Sequence, residues 1–380
     1  MFLLKILFNK LKSKYVKNKM GISENQSTSN SNKNDFQQVS TSSSITKITD
    51  NRNKSNSNEI FLDLFLKIIV KGDSNNNFNV SNMVIMDDKR LLVGYTLNLI
   101  IFSTKTFKRE LVIDFKDILI EYNNNNSISY LTQLNNGNLA ISITKDKIYF
   151  IKINKNSFKI EGNLLSKNPK KIIEKNSYLY ILEDYQISVW NKKFYMFTYS
   201  QEYTITMNGL FRPSLLYGNF IFTNDQELAV TNFQNLVFYN VESKKITKIK
   251  GKEYSISFGI YSNNMILINK NVLLVGCIDS KWGYGSVLLI DIIKKEIIAE
   301  KLLHIFSIIK LKNGDFLCGV QENNMIDKSK IMTLKIINEE LTIINSQICH
   351  NKAITCFIEL NNGNIISGSK DGIIKIWNKI

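Results

Sequence analysis

An all-β fold built from repeated four-stranded antiparallel units is what this sequence predicts, on three observations. A pattern of apolar residue, polar turn and apolar strand recurs through residues 59–380. Strand-favouring Ile, Phe and Tyr are abundant and only two prolines occur in 380 residues; β-branched and aromatic side chains fit a pleated, half-buried surface. The last repeat lacks an outer strand, whereas the first is preceded by a spare one, so the two ends can join and close a ring.

The last repeat is the clearest. Residues 350–380 read HNKAITCFIELNNGNIISGSKDGIIKIWNKI: an inner strand, an NNGN turn, a second strand, a KDG turn and a third strand. With Leu360 as the marker where the inner strand ends, LNNGNLAIS at 134–142 repeats the pattern nearly letter for letter. LKNGDFLCG (311–319), MDDKRLLVG (86–94) and INKNVLLVG (268–276) keep the marker, the turn, the strand and the Gly. Residues 173–191 and 222–240 are weaker at the turn and align at the third strand, setting Asp184 against Asp371, and Trp190 and Tyr239 against Trp377. The markers are therefore Met86, Leu134, Ile173, Phe222, Ile268, Leu311 and Leu360, spaced 39 to 49 residues apart. Repeats of roughly 40–45 residues with four strands each are the signature of a propeller blade. Seven blades follow.

Outer strands are expected at 109–115, 157–163, 194–200, 244–250, 295–301 and 340–346. The chain ends three residues after Trp377, so the seventh blade has none of its own. IFLDLFLKIIVK (60–71) is left over just before the first blade. The predicted fold is thus a seven-bladed β-propeller whose N-terminal strand completes the C-terminal blade.

His350, the run SGS-x-DG at 367–372 and Ile376-Trp377 resemble a WD40 repeat. That resemblance implies a structural tetrad of His350, Ser367 or Ser369, Asp371 and Trp377, in which the acid orients the imidazole and the hydroxyl links imidazole to indole. A buried indole N–H and imidazole need such partners. Read as a nucleophilic triad, the same residues lack a glycine elbow around either serine. Asp184 and Trp190 are the repeat-equivalent structural positions in blade three. His304 precedes the inner strand of blade six, and a partial structural role is expected for it. Cys349 and Cys356 flank His350 without a second Cys/His cluster for zinc, and Cys277 and Cys318 fall on second strands. All four thiols are expected to be plain core or rim groups.

The loop DSKWGYGS (279–286) inserts Trp282 and Tyr284 between the second and third strands of blade five. Such aromatics either present a partner-contact surface or tuck back onto the blade. The insertion at 321–330 in blade six occupies the matching place.

The net charge is +16, yet only four of the 49 basic residues are Arg. Lys, Asn and Ile are over-used throughout, which is a compositional bias, and nucleic-acid recognition favours the bidentate fork of Arg. Nucleic acid is therefore disfavoured as a partner. Residues 1–20 carry six lysines and no acid, with Leu4, Leu7, Phe8, Leu11 and Tyr15 on one helical face. Such a basic amphipathic segment suits an anionic membrane surface, a targeting role or a partner contact. Residues 21–58, rich in Ser, Asn and Lys, are expected to be disordered. No apolar run reaches the length of a membrane-spanning helix.

The domain expectation is therefore a basic segment (1–20), a linker (21–58) and a propeller (59–380). The resemblance implies a non-catalytic scaffold that binds proteins or peptides on its face and rim, as a monomeric propeller within a complex. A membrane-surface or phosphoinositide-associated propeller recruited through residues 1–20 is the alternative; Phe211-Arg212-Pro213 only superficially matches the basic pair of lipid-binding propellers. No cofactor is implied. Four unpaired cysteines suggest a reducing, cytoplasmic setting.

Overall fold

The computed structural model describes residues 38–39, 62–69, 80–87, 89–119, 126–145, 147–155, 157–166, 168–183, 186–193, 198–206, 219–231, 236–249, 256–257, 264–279, 285–321 and 328–379. Six consecutive antiparallel meanders supply blades one to six, each of four strands except that blade five also carries Ile256–Ser257, paired with Asp279 and Ile278. Blade one, for instance, runs Val80–Ile85, Arg90–Tyr95, Asn98–Ser103 and Arg109–Asp114 from inside to outside. Blade seven takes its inner three strands from Ile354–Glu359, Ile365–Ser369 and Ile373–Lys379. Its outer strand is Leu62–Ile69, antiparallel to Ile373–Lys379 with Lys67 opposite Lys375. The leftover strand closes the ring as expected.

The hydrophobic core repeats the same count. Seven buried clusters exist, each shared by two neighbouring blades, and together they go once round the ring. The cluster joining blades seven and one contains Ile366 and Ile374 beside Val80 and Leu91. Blade faces thus bury against each other, which is how a sheet with two apolar faces avoids exposing either.

Glycines on the second strands set how closely blades approach. A Cβ on Gly319 would lie 2.7 Å from Ile354 Cβ, and one on Gly368 would lie 2.6 Å from Val80 Cγ1. Gly94 and Gly276 face Ile128 and Ile305 in the same way, at 3.0 and 3.4 Å. Each seats the first apolar residue of the next blade's inner strand. The recurrent Gly of the repeats is therefore an inter-blade contact.

Polar side chains on the inner strands add hydrogen bonds from blade to blade. Asn82 donates to Leu131 O, Ser129 to Pro169 O (2.7 Å), Ser307 to Ile354 O (2.8 Å), and Thr355 to Val80 O. Blades three to five are also joined side chain to side chain: Lys171 Nζ donates to Asn219 Oδ1 (2.6 Å) and Asn219 Nδ2 to Asn264 Oδ1 (2.9 Å). Between blades five and four, Lys295 Nζ bridges both oxygens of Glu227 at 2.7 and 2.6 Å and lies 3.7 Å over the Phe238 ring.

Four expectations need correction. Ile173 lies mid-strand in Lys171–Lys175, because blade three turns on two residues, Asn176 and Ser177, both at positive φ (50° and 66°). Such a tight hairpin turn needs left-handed backbone at both positions. Ile268 is the extra residue of a bulge between Leu267 and Asn269, and in blade four Thr223 rather than Phe222 takes the marker's hydrogen bond, from Thr223 N to Glu227 O. The outer strand of blade three lies at Thr198–Thr206 instead of 194–200, since the third strand continues to Lys193 before the chain reverses. Residues 1–20 and most of 21–58 fall outside the described residues. Within the latter, Gln38–Val39 pairs antiparallel with Ile68 and Lys67 as a further strand on blade seven.

Candidate functional site

His350 ends the outer strand of blade six, Glu340–His350, and reaches into blade seven. Its Nδ1 lies 3.1 Å from Asp371 Oδ2 and its Nε2 lies 2.8 Å from Ser367 Oγ. Trp377 Nε1 donates to the same hydroxyl at 2.9 Å. A carboxylate only accepts, so Nδ1 carries the imidazole proton. The direction of the chain follows: indole N–H to Ser367, Ser367 O–H to Nε2, and Nδ1–H to Asp371.

This order requires a neutral imidazole. Burial lowers the His350 pKa below its ordinary value, and the hydrogen bond and charge of Asp371 offset that only in part. Burial alone would raise the Asp371 carboxyl, but the hydrogen bonds and charge from His350, with further donors, outweigh it and hold the carboxyl below its usual range. Asp371 also accepts from the backbone N–H groups of Asn351 and Ile373, both at 3.0 Å, which fixes the KDG turn.

Of the two serines the sequence left open, Ser367 is the tetrad member. Ser369 instead accepts from Asp371 N and donates to Lys352 O (2.9 Å), bracing the turn. Trp377 packs in the cluster between blades six and seven, together with Leu62 of the closing strand. The tetrad therefore ties three chain segments together: the end of blade six, blade seven and the N-terminal strand.

Trp190 in blade three keeps the indole hydrogen bond with a different partner. Its Nε1 donates to Ser188 Oγ (2.9 Å), two residues back on its own strand. Register explains the exchange. Ser367 stands opposite Lys375, and the equivalent pair in blade three is Ile181 opposite Ser188, so the hydroxyl has changed strands. Asp184 lies outside the described residues, as do Trp282, Tyr284, Arg212 and the core of the 321–330 insertion.

His304 is seven residues before Leu311, whereas His350 is ten before Leu360, so the two histidines are not equivalent. The His304 ring lies 4.5 Å from Phe306, centroid to centroid, and its Nε2 is buried without a hydrogen-bond partner. The four cysteines are free and buried, and burial pushes Cys349 and Cys356 up to about 12. Thiols held that high do not form the reactive thiolate at neutral pH.

No protein-family model and no curated protein sequence matches the chain. Solved structures do. The WD40 β-propeller domain of Doa1 superposes with a TM-score of 0.57 at 13% identity, covering 83% of this chain and 97% of that one. This protein has the WD40 β-propeller fold. A chain of a mitotic checkpoint complex matches at 0.62 and 9% identity over 90% and 99% of the two chains. U3-55K matches at 0.59 and 12% over 84% and 98%.

Among the described residues the WD40 blade pattern was legible chiefly at blade seven. The inter-blade glycine seats and the Lys171–Asn219–Asn264 chain were missed. The only signal for the former was the Gly that recurs in the second strands.

Proposed function

We propose that this WD40-type propeller is a non-catalytic scaffold in the cytoplasm that binds protein or peptide partners through its face and rim. The observation that carries this reading is that every heteroatom of the Ser–His–Asp set is spent inside the fold. Ser367 is fully buried and its oxygen is held between His350 and the Trp377 indole, so it has no access to a substrate. One of the superposing chains is consistent with work in assemblies, since it belongs to a mitotic checkpoint complex.

The contact surface proposed is the rim carrying Trp282 and Tyr284. Aromatic side chains held on a rigid frame give contact area at small entropic cost. Quantitative affinity capture with the full chain, compared with the Trp282→Ala/Tyr284→Ala variant, tests it. A partner enriched with the wild-type chain and lost with the variant supports the reading. Equal capture by both chains, or none by either, counts against that rim.

A further inference from the structure

Blades one and two flank an open cleft of about 590 Å³ on the face that carries the turns between inner and second strands. That face is opposite to the one where second strands pass into third strands, because strands in each meander alternate in direction. Among the described residues, Lys89, Arg90, Lys105 and Lys155 line the cleft with one carboxylate, Glu110, and the hydroxyls of Ser103 and Thr104. Clefts of several hundred Å³ are the size that takes a small molecule. A cationic lining selects an anion.

Comparison with the sister blades shows that these cations are a local departure from the repeat. The turns after Leu134, Leu311 and Leu360 share one geometry, in which the marker N–H bonds the carbonyl four residues on and the third residue's N–H bonds back to the marker. Gly137, Gly314 and Gly363 hold the left-handed position there, with φ of 81°, 91° and 86°. The turn after Met86 makes the same two hydrogen bonds, yet its left-handed residue is Lys89, at φ 65°. Such backbone costs a residue with a Cβ on the order of 1 kcal/mol relative to Gly. The next position holds Asn138, Asp315 and Asn364 in the sister turns, and here it is Arg90. Blade one thus replaces Gly-Asn or Gly-Asp by Lys-Arg at the cleft.

Arg90 is one of only four arginines in the chain. It spans the two blades through a hydrogen bond from Nη1 to Asn154 O (3.1 Å), which sets its guanidinium at the junction. Lys105 and Lys155 arrive from the turns between third and outer strands of blades one and two. A lysine and a rare arginine at the same turn, where the sister turns hold Gly and Asn or Asp, both face a shared cleft.

We propose that this cleft binds a small, multiply charged phosphate-bearing ligand, with Lys89, Arg90, Lys105 and Lys155 supplying the positive charge. Arg90, anchored through Nη1 to Asn154 O, and the three lysines place positive charge around the anion. The phosphate can be carried by a soluble molecule or by a lipid headgroup, since the cleft recognises the anion itself.

The test is calorimetric titration of the full chain with inorganic tripolyphosphate and, separately, with sulfate. The Lys89→Gly/Arg90→Asn variant restores the sister turn. Lys244→Gly/Lys245→Asn removes as many cations from a turn in blade four, where Lys244 also has positive φ (56°). The wild-type chain and the blade-four variant are expected to bind tripolyphosphate at least tenfold more tightly than sulfate. The blade-one variant should lose at least tenfold in tripolyphosphate affinity while melting at the same temperature or higher. Equal losses in both variants, or no loss in the blade-one variant, would overturn the proposal. Flotation with phosphatidylcholine vesicles, with and without phosphatidylinositol bisphosphate, separates the sources. Retention on the phosphorylated vesicles that disappears in the blade-one variant supports a headgroup. Tripolyphosphate binding without such retention supports a soluble ligand.

Discussion

Thr355 donates its hydroxyl to the carbonyl oxygen of Val80, 275 residues earlier in the chain, so the last blade holds the first through side chain as well as strand. The same junction seats Val80 against Gly368, where a Cβ would come within 2.6 Å of Val80 Cγ1. Ring closure is therefore a set of close contacts that a single methyl group would disturb.

Gly368→Ala and Gly319→Ala are expected to destabilise the propeller by about 1–3 kcal/mol each, the range for forcing a methyl into a packed core. Gly162→Ala, with nothing near its added Cβ, should stay within about 0.5 kcal/mol as surface substitutions do. Chemical denaturation of the three variants checks this. Equal effects at all three positions would mean that the glycines do not set blade spacing.

Ser367→Ala removes the hydroxyl shared by His350 and Trp377, leaving a buried imidazole nitrogen and an indole N–H unpaired. An unsatisfied buried group costs about 1–3 kcal/mol, so the loss should exceed that for Ser369→Ala, whose partners lie in a partly exposed turn. Melting curves that rank the two variants in the opposite order would contradict the tetrad described here.

Acid should weaken the same network. The folded His350 pKa is depressed, so as pH falls below about 6.5 the unfolded chain takes up a proton before the folded one does. Stability from this group is present above that pH and is lost on going down through it, until the folded imidazole also protonates. Urea midpoints from pH 7.5 to 5 should fall more steeply for the wild-type chain than for His350→Gln. Parallel profiles would show that His350 does not carry the effect.

Lys171 gives a second pH signature, at the alkaline side. Burial lowers its pKa from 10.5 to about 7, so between these values the unfolded chain binds the extra proton. Stability should rise with pH across that window, by an amount on the order of a few kcal/mol. Lys171→Met, which removes the charge at similar length, should flatten the rise between pH 7 and 9.5. An unchanged slope in the variant would place a different group behind it.

What the sequence shows and what it hides divide along physical lines. The NNGN and KNGD turns are legible because left-handed backbone demands Gly137, Gly314 and Gly363 locally. Leu62–Ile69 is legible because a blade missing a strand implies a donor elsewhere. Blade three is misplaced at Ile173 because a two-residue turn through Asn176 and Ser177 needs no glycine and leaves no conspicuous letter. The Lys171–Asn219–Asn264 chain and the Lys295–Glu227 bridge join residues 45 to 68 positions apart across blades, and no local periodicity encodes such partners. Ser188 replaces the tetrad serine from the opposite strand, an exchange that a linear alignment of repeats scores as a loss.

Closure by the N-terminal strand can be measured directly by cross-linking. Lys67 stands opposite Lys375 in the antiparallel pair, and the four native thiols are buried. In the Lys67→Cys/Lys375→Cys variant, mild oxidation should give a monomer with a single intramolecular disulfide, seen by mass spectrometry as one peptide joining the two positions. Two free thiols after oxidation, or links formed only between molecules, would contradict a ring closed by its own first strand.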